Sequence, residues 1–162
     1  MSVQIGTPAT VMRAHQELFA YWSGLRRGGR LPGRLDVDPA GFKRLLPSVC
    51  LIDVQSDPRD YKVRLAGTGL YGVFGGEITG QRLSEIYTPT AAEYWRVELD
   101  KIVETGRPGV GYHNLAWRGA AQMTILWLRL PLAANGRNVN MLLGYDTVVG
   151  FSGAEASGGR AA

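Results

Sequence analysis

The chain has 162 residues, 45% hydrophobic and 20% charged, which suits one globular domain with a real core. Its net charge of +4 comes from scattered arginines rather than from a clustered basic and aromatic face, so nucleic acid is not an expected partner. No apolar run reaches the length of a membrane span, residues 1–10 lack an export signal, and the lone Cys50 excludes an internal disulfide; a cytoplasmic protein with no membrane partner is expected.

Thr10 is placed to cap a helix over residues 10–27, in which Val11, Ala14, Leu18, Trp22 and Leu25 recur at three- and four-residue spacing. With Phe19 and Trp22 on or beside it, this stripe can pack on its own domain or on a second copy. Arg26, Arg27, Arg30 and Arg34 follow, where cations meet a helix C-terminus favourably. Asp38 and Pro39 start a second helix, 39–46, which Pro47 stops. Residues 49–54 form a β-branched strand, and Asp57-Pro58-Arg59-Asp60 turns the chain into the next.

Thr88 and Pro89 open a long helix with Trp95, Leu99 and Ile102 on its apolar face, closed by Gly106. Residues 110–117, 122–132 and 139–148 then read as three antiparallel strands, the last turn marked by Asn135-Gly136. Both faces of the middle strand are apolar: Thr124, Leu126, Leu128 and Leu130 on one, Met123, Ile125 and Trp127 on the other. Such a strand needs cover on its outside, and the N-terminal helix is the candidate. Residues 1–9 are expected to be flexible, 10–149 to form one domain, and the small, polar segment 150–162 to be a disordered tail.

Residues 60–87, DYKVRLAGTGLYGVFGGEITGQRLSEIY, hold the most distinctive motif. Gly67, Gly69 and Gly72 satisfy the G-x-G-x-x-G of a dinucleotide-binding loop. That chemistry needs a parallel strand after a crossover helix; here Gly75-Gly76 interrupts the helix and the later strands are hairpin-linked. The glycines read instead as a tight strand-to-helix turn. The order of elements, with Arg64, Gly67, Thr68, Phe74, Gly75, Thr79 and Gly80 in the middle third, resembles the PAS domain family, in particular a bacterial subgroup of small, often single-domain members. The likeness spans residues 12–148. It implies an α+β fold: a PAS-like five-stranded antiparallel sheet, helices on one face, and an N-terminal helix packed on the sheet or on a partner.

No catalytic set is visible. His15 reads as a half-exposed surface group, and His113 as a strand histidine or a pocket-lining one. Neither has metal-ligand spacing, so no metal is expected. Cys50 reads as a buried, inert thiol. Flavin photosensors of this family carry their cysteine after the second strand, where residues 67–87 have none; covalent flavin chemistry and haem are not expected, and no cofactor is assigned. The resemblance implies a non-enzymatic sensory or regulatory module that acts in signalling, as a homodimer or with a signalling protein. Alternatives are a small-molecule or haem sensor and a small isomerase-like enzyme using His113, Asp53 or Glu77. Expected pocket residues are Tyr71, Phe74, Leu83, Trp95, Tyr112, Asn114, Leu126 and Leu128; expected interface residues are Leu18, Phe19, Trp22, Met123, Ile125 and Trp127. The same pocket residues could equally fill a collapsed core.

Overall fold

The computed structural model describes residues 8–150, so the readings made for residues 1–7 and 151–162 lie outside the described part. Five strands form one antiparallel sheet: β1 (Val49–Gln55), β2 (Asp60–Ala66), β3 (Gly109–Leu115), β4 (Ala120–Leu132) and β5 (Met141–Gly150). Their order across the sheet is β2-β1-β5-β4-β3. Between β2 and β3 run three helices, α2 (Leu70–Phe74), α3 (Leu83–Ile86) and α4 (Pro89–Thr105). This is the expected α+β architecture.

The N-terminal helix, α1 (Pro8–Gly24), stops earlier than its apolar stripe suggests. Gly28 and Gly29 adopt φ of 55° and 82° and turn the chain at once, while the Arg27 guanidinium donates to Gly24 O at 3.3 Å and caps the helix end. α1 lies on β4 and β5, on the face opposite α4. Leu18 and Trp22 are fully buried there, and the Trp22 indole donates to Pro131 O at 2.8 Å. His15, expected half-exposed, is buried: Nε2 donates to Leu126 O at 3.2 Å and the ring meets Tyr145 edge-on at 4.9 Å. It sits three residues before Leu18 and seven before Trp22, within the packed side of the helix.

The second helix of the sequence reading is a 3₁₀ segment, Pro39–Ser48, broken where Phe42 leaves helical geometry. Asp38 does cap it, its side chain accepting from Ala40 N at 3.0 Å. Tyr21 of α1 holds this segment from outside through Asp38, donating to its carbonyl and accepting from its amide.

Gly67 and Gly69 have a steric reason that involves no phosphate. A Cβ on Gly67 would come within 2.2 Å of Leu46 O, and one on Gly69 within 2.8 Å of Pro47 O. Their amides donate to Val49 O and Pro47 O, at 2.8 and 2.9 Å. The end of β2 therefore runs against the backbone of the 3₁₀ segment, and only a glycine fits. We expect Gly67→Ala to lower unfolding free energy by about 1–3 kcal/mol through overpacking. Gly76→Ala, where a Cβ would meet nothing within 4 Å, should stay within about 0.5 kcal/mol of the parent. Denaturant titration of both variants checks this, and equal behaviour of the two would refute the steric account.

Candidate functional site

The inner face of the sheet is organised by a charge in the middle of an apolar strand. Arg129 of β4 pairs in register with Gly144 of β5, and Trp127 with Asp146. A Cβ on Gly144 would sit 2.8 Å from Arg129 Nη1 and 2.6 Å from Cys50 Sγ. The missing side chain thus leaves room for the guanidinium to lie flat and reach Asp146. The two groups form a fork, Nη1–Oδ1 at 2.6 Å and Nη2–Oδ2 at 3.0 Å. Both residues are buried, at 2% and 0% exposure.

A pair sealed this deeply is costly to desolvate and relies on its geometry and neighbours. Burial opposes the positive charge of Arg129, and Asp146 more than offsets it, so the guanidinium is held more firmly protonated than usual. Trp95 of α4 stacks over the guanidinium at 4.9 Å and Trp127 flanks it at 5.9 Å. Burial also pushes the Cys50 thiol up to about 12, which matches the inert, buried thiol expected there.

An aromatic layer surrounds the pair. His113 stacks flat on Tyr94, with ring centres 4.4 Å apart, and meets Trp95 edge-on at 5.4 Å. Tyr94 Oη accepts from Trp127 Nε1 at 3.0 Å and donates to Tyr112 O at 3.3 Å. Burial pushes the His113 imidazole down to about 4, so it is neutral near pH 7. Three buried nitrogens here, Arg129 Nε, Trp95 Nε1 and His113 Nδ1, have no hydrogen-bond partner. Between the sheet and α2–α4 lies a cavity of about 20 Å³, bordered by Tyr61, Phe74, Leu83, Tyr87, Trp95 and Arg129. That is room for about one water molecule.

Of the expected pocket residues, Phe74, Leu83 and Trp95 meet at this cavity. Tyr71 is about half exposed. Leu126 and Leu128 are corrected: they alternate with Trp127 and Arg129 and so lie on the α1 side of the sheet. Tyr112 and Asn114, paired with Leu126 and Thr124, share that side; the Asn114 amide donates to Thr124 Oγ1 at 3.0 Å and Ala121 O at 2.9 Å. Among the expected interface residues, Ile125 and Trp127 are buried on the inner face, and Met123 is buried near the Arg118 guanidinium. Leu18 and Trp22 are spent on their own sheet, and Phe19 is partly exposed. Arg129 and Asp146 escaped the sequence reading. Their signal was one charge of each sign inside two otherwise apolar strands.

A second concavity of about 410 Å³ lies on the opposite side of the sheet, between the 3₁₀ segment and the ends of β1 and β2. Among the described residues, no group of three or more His, Cys, Asp or Glu is placed to hold a metal ion.

Removing one partner of the buried pair should leave the other charge uncompensated. Arg129→Met or Asp146→Leu alone should each cost about 3–5 kcal/mol, and the two together much less than the sum. Additive losses in thermal or denaturant unfolding would contradict a coupled pair. A pH effect follows from His113. Its folded value lies below the unfolded value of about 6.5, so the unfolded chain takes up the proton first. Stability should therefore fall as pH drops from about 6.5 toward about 4. His113→Phe should flatten that acid limb, and parallel pH–melting curves for the two proteins would count against it.

The fold has counterparts among solved structures. A Rhodobacter sphaeroides LOV protein superposes with a TM-score of 0.50 at 17% identity, covering 75% of this chain and 74% of that one. A PAS domain from Colwellia psychrerythraea gives 0.49 at 12% identity, covering 67% and 93%. No curated protein matches the sequence. The family model for the PAS domain matches residues 11–146. The chain belongs to the PAS domain family.

Proposed function

We propose that this chain is a regulatory PAS module that works by contact, with a second copy or with a signalling protein, and performs no catalytic step. The observation that carries this reading is the filled inner face. Arg129, Asp146 and the aromatic layer pack between sheet and helices around a cavity of about 20 Å³. The residues present do not fit a flavin. A cavity of that size admits no ring system, and residues 67–87 hold no cysteine.

The groups an enzyme would need are engaged separately. His113 is packed in the aromatic layer, Asp53 is bound to Arg64 at 2.9 Å, and Glu77 accepts from the backbone and hydroxyl of Thr79. No catalytic geometry joins them. Among the described residues, no helix is long and apolar enough to cross a membrane.

The contact surface that fits this reading is the outward side of α1. Met12 and Phe19 lie two turns apart, 48% and 42% exposed, on a helix whose other side is already committed to the sheet. Light scattering should show a dimer, and Met12→Glu with Phe19→Glu should give a monomer of unchanged melting temperature. A wild-type protein that stays monomeric at millimolar concentration and retains no signalling protein in pull-downs would sink the reading.

A further inference from the structure

The groove on the outer side of the sheet is apolar, yet one cation stands at its mouth. Phe42 and Leu46 form one wall, Leu51 and Leu143 the floor, and Leu65 of β2 the other wall. Its volume of about 410 Å³ falls in the range of small-molecule sites. Backbone amides along or beside it are already used: Gly67 N donates to Val49 O, Gly69 N to Pro47 O, and Val49 N to Leu46 O. Apart from Thr68 and Arg34, the side chains lining it are apolar or the buried Cys50 thiol, so it offers a ligand mainly hydrophobic contact.

Arg34 is the charged residue lining this space. Its guanidinium makes a long hydrogen bond to Val37 O at 3.4 Å, and no ion pair with a carboxylate is formed among the described residues. The adjacent Asp36 carboxylate is turned away to accept from Gly33 N at 2.8 Å. Leu35, next to Arg34, is 99% exposed, and Leu65 is 53% exposed. An apolar slot with one unpaired cation at its entrance is complementary to a molecule that is apolar along its length and anionic at one end.

We propose that this groove binds a free, monomeric long-chain carboxylate, with the aliphatic chain along Phe42, Leu46, Leu51 and Leu143 and the carboxylate on Arg34. The site is separate from the inner cavity and from the outward side of α1, so it stands or falls independently of the contact reading. The wall that faces the ligand is also the segment that Tyr21 ties to α1.

The test is calorimetric titration of the full-length protein with octanoate, decanoate and dodecanoate below their micelle concentrations. Binding should tighten about three- to fourfold for each added methylene, the transfer value of one CH₂. Arg34→Gln should weaken dodecanoate roughly tenfold or more while leaving dodecanol unchanged, and Leu65→Glu should weaken both. Absence of binding, or affinity indifferent to chain length or to Arg34, overturns the proposal. So does co-sedimentation with phosphatidylglycerol vesicles without binding of monomeric dodecanoate, which would assign the groove to a membrane surface. A Leu65→Glu variant that turns a dimer into a monomer, in a protein that binds no carboxylate, overturns it as well and gives the groove to a second copy. Failure here with a dimer that still dissociates through Met12 and Phe19 leaves the contact reading standing.

Discussion

Arg129 and Asp146 face each other where the sheet and the helices would otherwise meet in purely apolar contact. In a low-dielectric interior each charge is tolerable only because the other is held at hydrogen-bond distance in a fixed orientation. That requirement propagates outward. Gly144 must lack a side chain so that the guanidinium can lie across β5, Cys50 must be small beside it, and Trp95 and Trp127 must present ring faces to its cation. α4 is positioned by the same contact, because Trp95 is its most deeply placed aromatic. The pair fixes the register of β4 against β5 as well. A two-residue slip would keep every side chain on its own face and still separate the charges.

Space that the fold could leave open is consumed by this arrangement. The guanidinium, its carboxylate and the rings of Tyr87, Trp95, Tyr94 and His113 are large groups held by mutual stacking. Packing on the outer side is looser. There the 3₁₀ segment touches the end of β2 and is held by Tyr21 of α1, yet it leaves a void of about 410 Å³ over β1 and β2. Open space and charge burial are thus divided between the two sides of one sheet.

Much of this architecture was legible from the sequence because the local signals agreed with one another. The stripe through Leu18 and Trp22, the cap at Asp38, and the glycine at the end of α4 each specified an element that formed. The faces of β4 were not legible. Leucines on one side and Ile125 with Trp127 on the other are equally hydrophobic, so alternation alone cannot say which side meets α4. Arg129 decided the matter against the usual rule that a strand's charged residue points to water. Its partner lies on another strand, and no local pattern connects them. The 3₁₀ geometry at Phe42 and the burial of His15 also depended on long-range partners, Tyr21 in one case and Leu126 with Tyr145 in the other.

The strand order has a consequence for how the molecule comes into being. β1 sits between β2, its neighbour in sequence, and β5, which is made last: Val49 pairs with Tyr145 and Asp53 with Met141. The hairpin of β1 and β2 can close early, but the sheet has no continuous centre until β5 emerges from the ribosome. Until then one edge of β1 carries unpaired amides and carbonyls, and the outer faces of β4 and β5 that receive α1 do not yet exist as a surface. The surface that α1 packs on is therefore complete only once β4 and β5 have paired. Pairing Val49 with Tyr145 closes a long loop, so its contacts must offset a loop-closure entropy that the β1–β2 hairpin does not face.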